Sequence, residues 1–365
     1  MSVAIVGGGL AAFTAYATLR HGGLGPAEIA VFGTDPDPAA AWRVRAAAIR
    51  QRRMRSESDG HCFPTSFPGL AVREALRTRR PAPLALTVLD RYRPSVELFL
   101  RHVDELRERS GWDASFRAAR VDRIRPVDGG FDVGGHGTFR HVLVAPGHPG
   151  LAWPEGLEGD PRAVHAYQPH GYASHVAVVG AGMAAATEWL NALAAGATVV
   201  SVRRREPQRR PLNVPRPLFT RRGLARFHAT APDERAAVLA RLSAPSYPPG
   251  REWDEPLERA RREGRFSVAA EVDGAEQVIC ATGFVRGYAH DPLLARLVAE
   301  HGLETYAGRL VLGDDATVPG LTGVTRTLAV AGAPAQWAYP AADTLVGMKY
   351  VARRFLARVR RCPTR

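Results

Sequence analysis

Lysine is almost absent from this 365-residue chain: Lys349 stands alone among 49 basic residues. Cysteine is scarce as well. Cys62, Cys280 and Cys362 are the whole set, and no two of them have Cys-x-x-Cys or metal-ligand spacing. This excludes a disulfide framework and a cysteine-based metal site, and it fits a reducing cytoplasm. No long hydrophobic run occurs. The longest apolar stretches have strand length and are broken by Gly or Arg, so none can span a bilayer. The N-terminus has no basic segment or cleavage site and reads as structure, not as a signal peptide. The arginines give a net charge of +13. They are spread along the chain without an aromatic-basic recognition motif, so nucleic acid is not the expected partner. A basic chain of this kind suits small polyanionic ligands.

What is present is a globular composition, 45% hydrophobic and 23% charged, long enough for two cores or one large one. One motif occurs twice. Gly7-Gly8-Gly9-Leu10-Ala11-Ala12 follows the apolar run Val3-Ala4-Ile5-Val6, and Gly180-Ala181-Gly182-Met183-Ala184-Ala185 follows Val176-Ala177-Val178-Val179. In such a turn the first glycine permits the strand-to-helix reversal. The second (Gly9, Gly182) lets a pyrophosphate approach the backbone. The third position (Ala12, Ala185) must be small for helix and strand to pack, and helix N–H groups face the phosphates. Two such turns half a chain apart point to two dinucleotides held for electron transfer.

Around these turns the chain reads as two rounds of one pattern. The first round predicts a strand at 3–6, a helix carrying Leu10, Phe13 and Ala17 and closed by Gly22-Gly23, and a strand at 29–32. The second predicts a strand at 176–179, a helix through Trp189, Leu190 and Leu193 stopped by Gly196, and a strand at 198–202. Asp128-Gly129-Gly130 and Asp273-Gly274 read as hairpin turns. Each is followed by an apolar strand, 142–144 or 278–280, that runs into Ala145-Pro146-Gly147 or Ala281-Thr282-Gly283. The fold class is α/β: two Rossmann-like dinucleotide-binding domains with β-meander inserts, the second domain inserted in the first. Two segments interrupt the pattern. Residues 34–115 hold a Pro/Arg-rich loop and a helix capped by Ser95, with Val96, Phe99, Leu100, Val103 and Leu106 on its apolar face. Residues 206–264 are Pro-rich and then helical over 232–242 and 255–262. From Pro340 the chain reads as one helix with Pro in its first turn.

The second strand of a dinucleotide unit commonly ends in an acid that binds ribose. In the first unit that position is Gly33, with Asp35 or Asp37 in reach behind it. In the second it is Arg203-Arg204-Arg205, cations that suit a 2′-phosphate and favour NADPH over NADH.

Together Gly7–Ala12, Gly180–Ala185, Arg203–Arg205, Ala281-Thr282-Gly283-Phe284 and Leu328-Ala329-Val330-Ala331-Gly332 resemble the two-dinucleotide-binding flavoproteins. Within them the chain looks most like the class B flavin monooxygenases, the flavin-containing monooxygenases and the lysine and ornithine N-hydroxylases. Trp42 and Phe67-Pro68-Gly69-Leu70 are similar to that group's stretch near the flavin, and Gly332–Met348, with Gln336, Trp337 and Pro340, to its flavin-side segment. The family signature Phe-x-Gly-x-x-x-His aligns with Gly159 to His165. His165 matches, while Gly159 and Pro161 replace the Phe and Gly.

The resemblance implies FAD in a discontinuous domain, 1–165 with 286–365, bounded by Gly7, Gly9, Leu10, Ala11, Ala12, Trp42, Ala145, Gly147, Gly332, Gln336 and Pro340. It implies NADPH in a domain over 166–285, at Gly180, Gly182, Met183, Ala185 and Arg203–Arg205, with Ala281, Thr282 and Gly283 at the junction. It further implies oxygenation of a nitrogen, sulfur or carbon centre of a small molecule by O2 through a flavin C4a-hydroperoxide, with no metal and no dedicated catalytic side chain. A helix from Pro340 would then point its positive end at the flavin pyrimidine edge. A reductase serving a non-thiol acceptor and a non-catalytic cofactor-binding scaffold are the alternatives. Among other residues, Asp59-Gly60-His61-Cys62 reads as a polar loop, His165, His170 and His175 as packing in the interdomain crossing, and Glu188 as an exposed helical acid. Thr282 and Phe284 read as facing the cofactors or as hinge structure.

Overall fold

The protein is described here by a computed structural model covering residues 2–55, 69–88, 92–211 and 214–361. In the first half β1 (Val3–Val6), α1 (Leu10–His21) and β2 (Ile29–Gly33) are followed by α2 (Ala40–Ala48), α3 (Gly69–Thr78), α4 (Ala82–Val88), α5 (Val96–Ser110) and the one-turn α6 (Trp112–Ser115). Then come β3 (Phe116–Ala118), β4 (Ile124–Val127), β5 (Gly130–Val133), β6 (Thr138–Phe139) and β7 (His141–Val144). The middle holds β8 (Ala163–His165), β9 (His175–Val179), α7 (Met183–Ala194), β10 (Thr198–Val202), β11 (Gln208–Arg209), α8 (Arg221–Ala229), α9 (Pro232–Ser243), β12 (Ser246–Tyr247), α10 (Arg251–Arg262), β13 (Phe266–Ala269) and β14 (Gln277–Cys280). The chain closes with α11 (Pro292–His301), β15 (Thr305–Tyr306), β16 (Arg309–Leu310), β17 (Thr327–Val330) and α12 (Leu345–Arg361).

Two parallel five-stranded sheets carry the architecture, in the orders β17-β7-β1-β2-β3 and β13-β10-β9-β14-β8. In each the central strand, β1 or β9, feeds the glycine turn. Parallel strands covered on both faces need continuous apolar sequence, and β1 and β7 are buried at every residue. In the first core Phe13 and Tyr16 of α1 meet the edge of Trp112 at 5.2 and 5.3 Å. Helix α12 lies along α1, where Arg360 donates to Gly22 O. In the second core Trp189 of α7 packs edge-on to Tyr247 and Phe266.

The predicted elements around both turns form, and Ser95 caps α5 by accepting from Leu98 N at 3.1 Å. The α5 face is rotated slightly: Leu98, Phe99, His102, Val103 and Leu106 are the buried set, and Val96 and Leu100 only flank it. Five differences have identifiable causes. Residues 34–115 contain α2, α3, α4 and α6 in addition to α5. Helix α2 hides from pattern reading because its Ala- and Arg-rich sequence has high helix propensity but no apolar period. In the second insert α8 precedes the two predicted helices, and both α8 and α9 pack on the first core through Leu224, Phe227 and Leu239.

Asp128-Gly129 does turn β4 into β5 as an antiparallel pair. Asp273-Gly274 does not make a hairpin. It links β13 to β14, which are separated by β10 and β9 and pair with them in parallel, so among the described residues the meander lies in the first half. The last helix starts at Leu345, not Pro340. Residues 339–344 form turns, and Thr344 Oγ1 caps the helix by accepting from Gly347 N at 3.1 Å. Finally, β8 pairs with β14 in the second sheet, so that sheet takes up the chain from Ala163.

Candidate functional site

Each glycine turn is shaped by the strand that closes its own half. Gly7 has φ +125°, and a Cβ there would stand 2.1 Å from Ala145 O; Gly180 has φ +135°, with Ala281 O at 2.6 Å. Only glycine fits both the backbone angle and the approach. Thus the Ala-Pro-Gly and Ala-Thr-Gly elements press against the two turns. Gly9 and Gly182 are the N-caps of α1 and α7, extended and without any side-chain cap. A Cβ on Gly9 would meet nothing within 4 Å, and one on Gly182 only the edge of Pro245 and Ser246 at 3.9–4.0 Å. Both helix ends therefore offer uncapped N–H groups to open space, the arrangement that binds phosphate. Leu10, Ala11 and Met183 sit in these first turns. Ala12 and Ala185 are fully buried beneath them. Gly332, at φ +76°, completes the first cradle; a Cβ on it would meet the Ala11 methyl at 3.7 Å.

Gly33 is dictated by packing. A Cβ on it would lie 2.9 Å from Gly8 Cα and 3.0 Å from the Phe116 ring, so no acid can occupy that strand end. Asp37 is already engaged, accepting from Ala39 N and pairing with Arg43 at 2.9 Å. Asp35 is exposed and accepts from Asp37 N. At the end of β10 the three arginines separate. Arg203 lies over Trp189 at 5.5 Å, pairs with Glu206 at 2.8 Å and keeps only 6% side-chain exposure, while Arg204 and Arg205 project outward. Arg203 alone of the three lines a cavity of about 390 Å3, with Arg209, Tyr247, Asp254 and Arg261 in its wall.

The two halves meet where the closing elements continue. Ala152 N donates to Gly283 O and Val285 N to Gly150 O, both at 3.0 Å, and Thr282 Oγ1 bonds Ala152 O. Phe284 stacks on His148 at 4.2 Å and on Tyr167 at 4.8 Å, with the Arg45 guanidinium 4.6 Å from its centroid. Burial, aided by Arg45 and Arg286, pushes the His148 ring down to about 4. Burial also brings His165 to about 4. Thr282 and Phe284 thus serve the junction.

Helix α2 bridges the same junction. Trp42 packs on Phe99 of the first core, Arg45 covers Phe284, and Ile49, just past the helix, is buried in the second core. The spacing i, i+3, i+7 puts all three on one face.

On the first-half side of the cleft Gln336 accepts from Arg309 Nη1 at 3.1 Å, and Pro340 is buried in the turn ahead of α12. Sequence reasoning missed Asp343. It lies deep in the molecule yet open to solvent, facing Arg286 and Arg309, and burial pushes its carboxyl up against their pull. A second cavity of about 570 Å3 is lined by both inserts, including Glu74, Tyr92 and Glu252.

Glu188 departs from the exposed position expected of it. It is fully buried on α7, accepting from Tyr172 Oη at 2.8 Å with His170 Nε2 at 3.0 Å. Its spacing with Ala185 and Ala192, both buried, places it on the inward stripe, a signal the sequence does contain. Asp59-Gly60-His61-Cys62 and Phe67-Pro68 lie outside the described residues.

No protein-family model and no curated protein matches the sequence. Solved structures do match over nearly the whole chain. An ornithine N-hydroxylase from Kutzneria sp. 744, solved with reduced FAD, NADP+ and L-ornithine, superimposes with a TM-score of 0.73 at 16% identity, covering 99% of both chains. The FAD-bound cadaverine monooxygenase of desferrioxamine biosynthesis from Erwinia amylovora gives 0.72 at 13% identity, over 98% of this chain and 94% of that one. The chain has their fold. A bacillithiol disulfide reductase from Bacillus cereus shares it at a TM-score of 0.60 and 15% identity, over 98% and 99%. No described helix is long and apolar enough to cross a membrane.

Proposed function

We propose that this protein is an NADPH- and FAD-dependent monooxygenase of a small molecule, with nitrogen the favoured centre of oxidation. One observation carries the reading: two uncapped helix N-termini, each behind a glycine pressed on an alanine carbonyl, stand in one chain whose junction is closed by a shared aromatic stack. Gly7, Gly9, Leu10, Ala11, Ala12 and Gly332 would cradle the FAD pyrophosphate, with Trp42, Ala145, Gly147, Gln336 and Pro340 around the flavin. Gly180, Gly182, Met183 and Ala185 would take the NADPH pyrophosphate, and Arg203, Arg204 and Arg205 its 2′-phosphate, with Ala281, Thr282 and Gly283 at the junction. This division puts FAD with 1–162 and 286–365 and NADPH with 163–285, the expected boundary at 165 moving back because β8 pairs in the second sheet.

Bound, the nicotinamide would supply hydride and the flavin an O2-reactive centre. The protein's share is orientation and exclusion of water. The His148–Phe284–Tyr167 stack closes the junction, and the neutral His148 adds no proton there near pH 7. N-oxygenation is favoured because the neighbours at 0.72–0.73 are described as an N-hydroxylase and an amine monooxygenase.

A reductase is the second reading, since the fold is shared with a disulfide reductase. Against thiol chemistry, Cys280, the free cysteine among the described residues, is buried, and burial raises its thiol to about 11. Purified protein loaded with FAD tests the choice. Fast anaerobic bleaching by NADPH, followed in air by oxygenated product from an amine panel, supports the proposal. NADPH consumption that yields only H2O2 with every substrate turns it into a reductase. Failure to bind FAD overturns both.

A further inference from the structure

We infer that His170 and Glu188 form a proton-held positioning pair for α7, the helix that receives the second dinucleotide; its functional arm rests on the reading above. The two side chains are 2% and 0% exposed. His170 Nδ1 lies 2.7 Å from Gln168 O and Nε2 lies 3.0 Å from Glu188 Oε2. Both partners are acceptors. A neutral imidazole has one N–H and can satisfy only one of them. Tyr172 Oη cannot help, because its proton is spent on Glu188 Oε2 at 2.8 Å. The geometry therefore requires two protons on the His170–Glu188 pair, and the raised basicity of His170 puts both on its ring.

The surroundings agree. Burial opposes the charge on His170, but the Glu188 and Gln168 contacts raise it on balance. Of the other groups facing it, Arg50 lies over the Tyr172 ring at 4.4 Å and opposes the charge. Tyr172 keeps its proton, and His165, which accepts from Tyr167 N, is neutral above about 4.

The pair fastens the crossing into β9 to a face of α7 that two further elements also touch. His170 and Tyr172 belong to the crossing into β9. Asn191, one turn beyond Glu188, donates to Ile49 O at 2.9 Å, and Arg55 donates to Thr187 Oγ1 at 3.2 Å. Losing the proton sets a nitrogen lone pair against a buried carboxylate or carbonyl. That loosens the crossing and the α2 contact together, and with them the orientation of the α7 N-terminus at Gly182. Because the folded-state pKa is raised, the stabilisation is complete below pH 6.5 and is lost as pH rises through the His170 midpoint.

The test follows the His170 ring by NMR titration in cofactor-free protein and measures NADP+ affinity across the same pH range. The expected result is a His170 midpoint above 6.5, with the NADP+ Kd rising several-fold across it while FAD content stays constant. His170→Gln, whose amide donates twice without titrating, should bind NADP+ with no pH step. Glu188→Gln should move the His170 midpoint down, which covers the case of a misfolded His170→Gln. A wild-type midpoint below 6.5 overturns the pair. A raised midpoint with pH-independent NADP+ affinity overturns the positioning role. No NADP+ binding at any pH, with the His170 titration intact, sinks the cofactor reading and leaves the pair standing.

Discussion

Gly7 and Gly180 occupy equivalent turns at φ +125° and +135°, each held against an alanine carbonyl, yet the strands beside them end in opposite ways. In the first half β2 stops at Gly33, pressed on Gly8 and Phe116, so the strand end is bare. In the second half β10 runs into Arg203, and the strand end is cationic. The shared part is set by backbone geometry that any dinucleotide would need. The differing part is where one dinucleotide can be told from another.

The largest effect expected is from breaking the shared part unequally. Gly7→Ala should abolish FAD binding and lower stability by roughly 3 kcal/mol or more, since it combines a forbidden φ with a backbone collision. Gly180→Ala, with the looser 2.6 Å approach, should cost less and spare FAD while eliminating NADP+ binding. Flavin content, melting temperature and NADP+ titration read both. Equal flavin loss in the two variants would erase the distinction between the halves.

Next comes the bare strand end. Gly33→Asp installs the acid that position commonly holds, but here it should reduce FAD content, because its Cβ meets Gly8 Cα at 2.9 Å. Improved FAD affinity would show that packing does not forbid the acid. At the cationic end, Arg204→Ala with Arg205→Ala should narrow the preference for NADPH over NADH by about tenfold, the worth of about 1.4 kcal/mol of charge-assisted contact. Kd values for the two cofactors measure this, with flavin content unchanged.

The last effect concerns the seam and is read from pH, not from cofactor binding. His148 and His165 have folded pKa values near 4, below the ordinary 6.5. The unfolded chain takes up protons first on acidification, so stability is complete above pH 6.5 and is lost as pH falls toward 4. Each should contribute on the order of 1–3 kcal/mol over that window. Melting curves against pH check it, and His148→Asn should flatten part of the slope. His170 has the opposite sign, which makes acid and alkaline losses separable.

How much was legible depends on whether a signal was local. The glycine turns, their flanking strands, the Ser95 cap and α9 follow from short-range pattern and appear where it puts them, while α10 begins at Arg251, a turn before the expected 255. Asp273-Gly274 misled because the same dipeptide can reverse a hairpin or simply enter a parallel crossover; the partners decide, and they are distant in sequence. The start of α12 depended on Thr344 acting as cap, not on Pro340. Gly33 looked like a missing acid, and only its contact with Gly8 explains it. Glu188 is a charged residue inside, announced only by its place on the inward stripe of α7, and nothing local in the sequence sets Asp343 against Arg286 and Arg309.

Helix α2 places Trp42 against one core, Arg45 on the seam and Ile49 in the other core. The two halves are therefore kept in register by rotation about a helix axis as well as by length. Inserting one residue between Trp42 and Ile49 would turn the latter by about 100° and withdraw it from its socket. Insertions of three or four residues would restore its bearing. Tolerated length changes in this stretch should accordingly come in near-whole turns, which gives the junction a counting rule that no single substitution would reveal.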